Sequence, residues 1–331
     1  MNIVALVEAE DHVCCRYRIA AFRPHLEAAG HTLGIQAIPK GIVSRLRLLN
    51  SVGDADVVIL QRKLLSQFEV AWLRRKARRL IFDFDDAIYL RDSHSGKGFD
   101  DAKRMRRFRS IVASADAVVA GNAILAEQAD PKATVIPTCI DISKYQPHEN
   151  VCRKDHIELV WVGSSSTLKG LESQRTLFEE IGRSIPELRL TVICDRFPKF
   201  EHLPVQEIPW QEATEAVFIA RADIGIAWVP DDPWSRGKCA LKVLQYHAAG
   251  LPVVANPVGV QAEIVRPGVN GYLASTTDQW VSAIHALVTN EHLRRGFGMA
   301  GREQVRTQFS TDIGGAMWVE LLNRVGRGGA C

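Results

Sequence analysis

The stretch Trp228-Val229-Pro230-Asp231-Asp232-Pro233-Trp234-Ser235-Arg236-Gly237-Lys238-Cys239-Ala240-Leu241-Lys242-Val243-Leu244-Gln245-Tyr246-His247-Ala248-Ala249-Gly250-Leu251-Pro252-Val253-Val254-Ala255 reads as half of a strand–helix–strand unit. An apolar strand over 224–228 runs into a long loop rich in Pro, Gly and cations. A helix follows, Gly250 closes it as a C-cap glycine, and a short buried strand begins at Val253. Strand, crossover helix and strand in that order make a parallel sheet. The same alternation extends both ways along the chain. Downstream a strand is expected at 271–273, with helices near 291–309 and 312–325. Upstream the strands are 158–162, 189–194 and 205–208. Before residue 141 a second set appears at 3–7, 32–37, 56–60, 80–84, 117–120 and 134–136, with a helix over 16–29 that Gly30 ends. Between the sets, residues 141–156 are polar, contain Pro147 and carry the charged run 149–155, a linker composition. The expectation is an α/β protein of two Rossmann-like domains, 1–150 and 151–311. A helix over 312–325 is expected to cross back to the first domain, and 326–331 to form a disordered tail.

A chain of 331 residues is long enough for two such domains, and 47% apolar with 24% charged residues is a globular composition. The net charge of +3 gives no general argument for nucleic acid. Two basic clusters stand out locally: Arg74, Arg75, Lys76, Arg78 and Arg79, then Lys103, Arg104, Arg106, Arg107 and Arg109. They read either as solvated helix faces or as a surface for anionic lipid or an acidic acceptor. The cysteines, at 14, 15, 139, 152, 194, 239 and 331, form no C-x-x-C pair and read as reduced thiols. No apolar run approaches the ~20 residues of a membrane span. The expected location is the cytoplasm, with peripheral membrane contact through the basic clusters left open.

Ligands of parallel sheets bind beyond the carboxyl ends of strands, where helix N-termini present free N–H groups. Val162-Gly163-Ser164-Ser165-Ser166-Thr167-Leu168-Lys169-Gly170 is such a place. Gly163 and the hydroxyl-bearing Ser164 and Thr167 leave room for phosphate oxygens at backbone amides, and Lys169 supplies charge. Taken alone, an ordinary turn with a Ser/Thr cap is the better reading of it. The second place is the loop before Leu241, where Arg236, Lys238 and Lys242 crowd an expected helix start. Cations there oppose the helix dipole unless they share an anion, which favours a diphosphate ligand.

With these motifs in view, the chain resembles retaining GT-B glycosyltransferases of the group 1 (family 4) type. The closest likeness is to members reading G-K-C-x-x-K-x-x-Q-Y-x-A-x-G-x-P-V-V, here Gly237 to Val254. Further matches in order are Cys15-Arg16-Tyr17-Arg18, Leu60-Gln61-Arg62-Lys63, Phe82-Asp83-Phe84-Asp85-Asp86-Ala87, Gly121-Asn122, Ile136-Pro137-Thr138-Cys139-Ile140-Asp141, Gly163–Leu168, Pro257-Val258-Gly259 and Asn270-Gly271-Tyr272. The resemblance implies the GT-B fold, with two parallel sheets facing an interdomain cleft. It implies transfer of a sugar from a nucleoside-diphosphate sugar to an unknown acceptor, with retention and without metal or other cofactor. Gly163, Ser164 and Lys169 would contact the donor diphosphate, aided by Lys238 and by the amides of Gly259 and Val260. Trp210 would lie at the nucleobase, and Gln245 at the ribose hydroxyls. Asp85 and Asp86 would face the acceptor, orienting a hydroxyl or accepting its proton. Where the family carries an E-x7-E pair, this chain has Gly237 and Gln245. Asp231 and Asp232 are the candidates to replace the first carboxylate.

Two other readings compete. Asp83 and Asp85 after an apolar strand also resemble the D-x-D motif of haloacid-dehalogenase-type magnesium phosphatases. Against that, Ala87 stands where their Thr belongs, and several strands come first. A GT-B-shaped protein that binds donor without turnover is the second, since both E-x7-E carboxylates are missing. A dinucleotide dehydrogenase is excluded, because the first strand leads to Glu8-Ala9-Glu10-Asp11 and no G-x-G-x-x-G.

Overall fold

A computed structural model describes residues 1–129, 133–147 and 156–327. All twelve expected strands form, each within one residue of its expected ends: β1 Asn2–Val7, β2 Thr32–Ala37, β3 Val57–Gln61, β4 Leu80–Phe84, β5 Ala117–Ala120, β6 Thr134–Val135, β7 Ile157–Val162, β8 Leu188–Cys194, β9 Val205–Pro209, β10 Ile224–Ala227, β11 Val253–Ala255 and β12 Gly271–Leu273. They make two six-stranded sheets, ordered β2-β1-β3-β4-β5-β6 and β12-β11-β10-β7-β8-β9, with every pairing parallel. Helices cover a parallel sheet on both faces, so its strands read as continuous apolar runs; β3 and β4 are buried at every position.

The chain divides into two compact units. Unit 1 holds residues 1–139, 232–239 and 311–331; unit 2 holds 140–231 and 240–310. Three differences from the expected division follow. The boundary expected at 150/151 lies outside the described residues, and 140–147 already belong to unit 2. Tyr145, 3% exposed, is part of that unit's interior rather than of a solvated linker. Residues 232–239 belong by their contacts to unit 1, although they lie inside the second half of the sequence.

The last helix, Thr311–Arg327, takes in Gly326 and Arg327 of the expected tail; residues 328–331 lie outside the described set. Its Trp318, Leu321, Leu322 and Val325 share a core with Ile3, Ala5, Val7, Phe22 and Leu26 of unit 1. Gly314 lets it approach closely, since a Cβ there would sit 2.6 Å from both Cys139 Sγ and a Phe22 ring carbon. The helix expected over 16–29 is instead two α-helices, Val13–Arg18 and Arg23–Ala28, joined by a 3-10 turn. Pro24 is the cause. It has no N–H to give a continuing helix and fits only the first turn of a new one.

Candidate functional site

In unit 2 the chain starts at β7 and fills the sheet first on one side and then on the other. The crossovers therefore diverge between β7 and β10, the position where such sheets bind ligands beyond their carboxyl ends. The loop Gly163–Lys169 leaves the end of β7 there. A Cβ on Gly163 would lie 2.5 Å from the Trp161 ring and 2.6 Å from Thr167 Oγ1, so only glycine fits this turn. Thr167 Oγ1 accepts the Ser164 N–H at 3.1 Å, and Ser164 Oγ pairs with Ser166 Oγ at 2.8 Å. The helix Ser165–Ser173 then begins, and Lys169 stands exposed one turn along it. Gly170 of this helix packs against Trp228, which follows β10. From the end of β11, Asn256 bonds Val229 in both directions, accepting its N–H at 3.0 Å and donating to its carbonyl at 2.7 Å. Gly259 and Val260 follow and open the short helix Gln261–Ile264. Trp210, 39% exposed, follows β9 with its N–H on the Cys194 carbonyl. Lys242 Nζ lies 4.7 Å over the Trp161 ring, a cation–π contact that holds the lysine beside β7.

Gln245 differs from its expected surroundings. It is 2% exposed, and its amide nitrogen donates to the Tyr145 hydroxyl at 3.0 Å and to Glu215 Oε1 at 2.7 Å. Both N–H bonds are used inside unit 2. Sequence reasoning also missed Asp195, just after β8, whose Oδ1 accepts the Ser165 N–H at 2.6 Å. A carboxylate thus occupies a free amide at the opening of the Ser165–Ser173 helix. Hydrogen bonds from the Ser165 hydroxyl and the Cys194 thiol, with a smaller share from the Ser165 N–H, hold the Asp195 carboxyl below its ordinary value.

Unit 1 carries the remaining expected residues in one cluster. Asp85 and Asp86 follow β4. Arg62, which follows β3 with the left-handed φ of 42°, donates to Asp86 Oδ2 at 3.0 Å and lies 3.6 Å from Asp85 Oδ1. The same guanidinium donates to Cys14 Sγ. Among the described residues Cys14, Asp85 and Asp86 are the one group with metal-ligating atoms gathered together, all within 4.8 Å. Arg62 already supplies their cation. Burial pushes the Asp85 carboxyl up, but the charges of Arg62 and Arg18 outweigh it and hold it below its ordinary value. Burial and the Asp85 charge push the Cys239 thiol up to about 12 and raise Cys14 well above the ordinary thiol, so neither is a thiolate nucleophile.

The segment Asp232–Cys239 docks on this cluster. Lys238 Nζ lies 3.6 Å from Asp86 Oδ1, Cys239 Sγ donates to the Asp85 carbonyl at 3.2 Å, and Asn122 Nδ2 donates to the Gly237 carbonyl at 3.0 Å. A Cβ at Gly237 would sit 3.0 Å from both Ala87 and Leu125. A side chain at this position would have to displace those two methyl groups. The expected crowding of Arg236, Lys238 and Lys242 at one helix start is not found. Asp232 caps the short helix Pro233–Arg236, and Arg236 stands in its last turn, where the dipole favours a cation. Lys242 opens a different helix, Leu241–Ala248, after Ala240 turns the chain with φ 52°. Lys169 and Lys242 therefore belong to unit 2, Arg236 and Lys238 to unit 1.

The phosphatase reading fails on burial. Asp83 is 0% exposed, and both its oxygens accept from the equally buried Arg18. Asp83 holds that guanidinium above its ordinary value against the effect of burial. No substrate reaches this carboxylate.

Residues 150–290 match the family model described as glycosyl transferases group 1. Among curated proteins no sequence match is found. Solved structures resemble the whole chain. The sucrose-phosphate synthase of Thermosynechococcus elongatus is similar at 16% identity over 98% of both chains, with a TM-score of 0.78. HepE of Anabaena, in complex with UDP and glucose, is similar at 15% identity over 98% of this chain and 100% of that one, with a TM-score of 0.70. A glycosyltransferase from Rickettsia africae is similar at 12% identity over 98% of both chains, with a TM-score of 0.72. At these identities the likeness speaks for the fold, which is GT-B. The group 1 match, carried by residues 150–290 within a fold shared with these proteins, supports a glycosyl-transfer enzyme.

Proposed function

We propose that the chain transfers a sugar from a nucleoside-diphosphate sugar to an acceptor, with retention at the anomeric carbon and without a metal. One observation carries this reading: the group 1 match covers most of unit 2, where Gly163, Ser164 and Lys169 follow the carboxyl end of β7, Lys242 lies between β10 and β11, and Gly259 and Val260 follow β11. Small residues, helix openings and lysines are what a diphosphate needs. HepE is described with UDP-glucose, which makes a UDP-hexose the first donor to try, with Trp210 beside the base.

As the sugar leaves, negative charge grows on the diphosphate. Lys169 and the opening of the Ser165–Ser173 helix stabilise it, with Lys242 adding positive charge. Loss of one such preorganised group costs about 3 kcal/mol in measured enzymes, roughly a hundredfold in rate. Asp85 and Asp86 serve the acceptor side. Asp85, kept ionised by Arg62 and Arg18, is suited to accept a hydrogen bond from an acceptor hydroxyl and orient it.

Titration of UDP and UDP-glucose into the protein and into Lys169→Ala tests the donor site. Wild type should bind, and the variant should bind at least tenfold more weakly; equal affinities remove Lys169 from it. Transfer that persists in EDTA supports the metal-free mechanism, and a strict divalent-ion requirement overturns it. Binding with neither hydrolysis nor transfer leaves a donor-binding protein without turnover.

A further inference from the structure

Unit 1 carries a surface that the donor chemistry does not use. The helices Ile42–Ser51, Gln67–Lys76 and Ala102–Ser114 follow β2, β3 and β4 and pack side by side in that order. Together they hold ten Arg and Lys side chains against one carboxylate, Glu69, which is buried and bound to Arg45 at 2.6 Å. That ion pair ties the first turns of two of these helices together. Beside it three large apolar side chains stand in water: Ile42 at 57% exposed, Val43 at 60% and Phe68 at 60%. A groove of about 470 Å³, lined by Gln67 on the helix that carries Phe68 and by Ala102, Met105, Arg106, Arg109 and Ser110 on the basic helix, runs between the two.

The two basic clusters of the sequence behave differently. In the first, three of the five cations have carboxylate partners: Arg74 and Arg79 share Asp116, and Arg78 pairs with Asp56. In the second, Lys103, Arg106 and Arg109 are exposed, and no acidic partner is found for them among the described residues. Asp101 caps this helix, accepting the N–H groups of Lys103 and Arg104, so its first turn is served within the unit. Lys103, Arg106 and Arg109 follow at three-residue spacing, which sets all three on one side of the helix, open to an external anion.

We infer that this face docks on an anionic lipid surface, with Ile42, Val43 and Phe68 entering the headgroup–acyl boundary and Lys103, Arg106 and Arg109 meeting lipid phosphates. The mixture selects the occupant. A soluble polyanion would use the cations and leave the apolar side chains idle, whereas a bilayer interface takes both.

Co-sedimentation of the full chain with phosphatidylcholine vesicles, with and without phosphatidylglycerol, tests it. Binding should require phosphatidylglycerol and weaken between 0.1 and 0.5 M salt. Each of Lys103→Gln, Arg106→Gln and Arg109→Gln should lower partitioning about fivefold, and Phe68→Ser roughly tenfold. These side chains are exposed, so an unchanged melting temperature separates lost docking from lost folding. Equal binding to both kinds of vesicle, or none, overturns the proposal. So does a loss on charge removal that Phe68→Ser does not share, which would point to a soluble polyanion.

Discussion

Lys238 Nζ lies 3.6 Å from Asp86 Oδ1, so a lysine expected to counter donor charge already holds a carboxylate within its own unit. Asp86 is shared with Arg62, and both partners keep some exposure, so the pair is weak and screened by salt. Asp86→Asn leaves Arg62 and Lys238 with one carboxylate fewer. It should cost about 1 kcal/mol of stability at low salt, with a smaller cost at 0.5 M. Urea unfolding of the variant beside wild type reads this, and equal stabilities at low salt would mean that the shared carboxylate adds nothing.

Asp195 makes a parallel case in unit 2. Its carboxylate takes the Ser165 N–H, an amide at the helix opening where a phosphate oxygen would otherwise bond. Like charges repel, so donor binding must displace Asp195 or tolerate it. Asp195→Asn keeps an oxygen acceptor for Ser165 and removes the charge. The expected outcome is UDP affinity raised about fivefold, with apparent affinity for uridine, which lacks phosphate, unchanged. A variant that loses affinity for both compounds would make Asp195 a support of the loop instead.

The architecture was legible because parallel strands buried on both faces leave uninterrupted apolar runs, and the turns between them carry Gly, Pro and hydroxyl residues. The Gly163–Lys169 loop was legible for the same reason: it follows a strand. The membership of 232–239 was not. Its contacts are to Asn122, Ala87, Leu125 and Asp85, more than a hundred residues away, and no local pattern encodes such pairings. The burial of Gln245 was hidden in the same way, because its partners Tyr145 and Glu215 come from distant segments. Two signals were present and outranked. Pro24 marks a new helix start, and Asp232-Pro233 is a cap followed by an N1 proline that makes Arg236 a C-terminal cation.

Gln245 invites a substitution that family likeness would suggest and the structure opposes. Gln245→Glu restores the second glutamate of E-x7-E, yet places a carboxylate against Glu215, where the amide now donates at 2.7 Å. Both residues are buried, at 2% and 5% exposed. Losing two donated bonds and setting like charges together should cost about 3 kcal/mol at pH 8. Part of the cost should return at pH 5, where the pair can share a proton. Adding Glu215→Gln should recover much of the stability by reversing the donor and acceptor. Urea unfolding of the single and double variants at both pH values measures this; a single variant as stable as wild type at pH 8 would sink it.

His247 gives unit 2 a pH dependence of known sign. The imidazole is 0% exposed, its Nδ1 lies 3.2 Å from the Leu251 carbonyl, and Gly301 packs directly on the ring. Nδ1 therefore carries the proton of the neutral ring. Burial pushes the pKa down to about 4, with the Leu251 bond opposing the shift only in part. In the unfolded chain a histidine titrates near 6.5. Between these values the unfolded state binds more protons than the folded one. Stability from this site is thus complete above pH 6.5 and drains as pH falls toward 4. At pH 5 the loss should be on the order of 2 kcal/mol. His247→Leu cannot titrate; although less stable at neutral pH for want of the Leu251 bond, it should fall less between pH 7.5 and 5. The slopes, not the absolute stabilities, carry the comparison, and parallel profiles would mean that some other group takes up the proton.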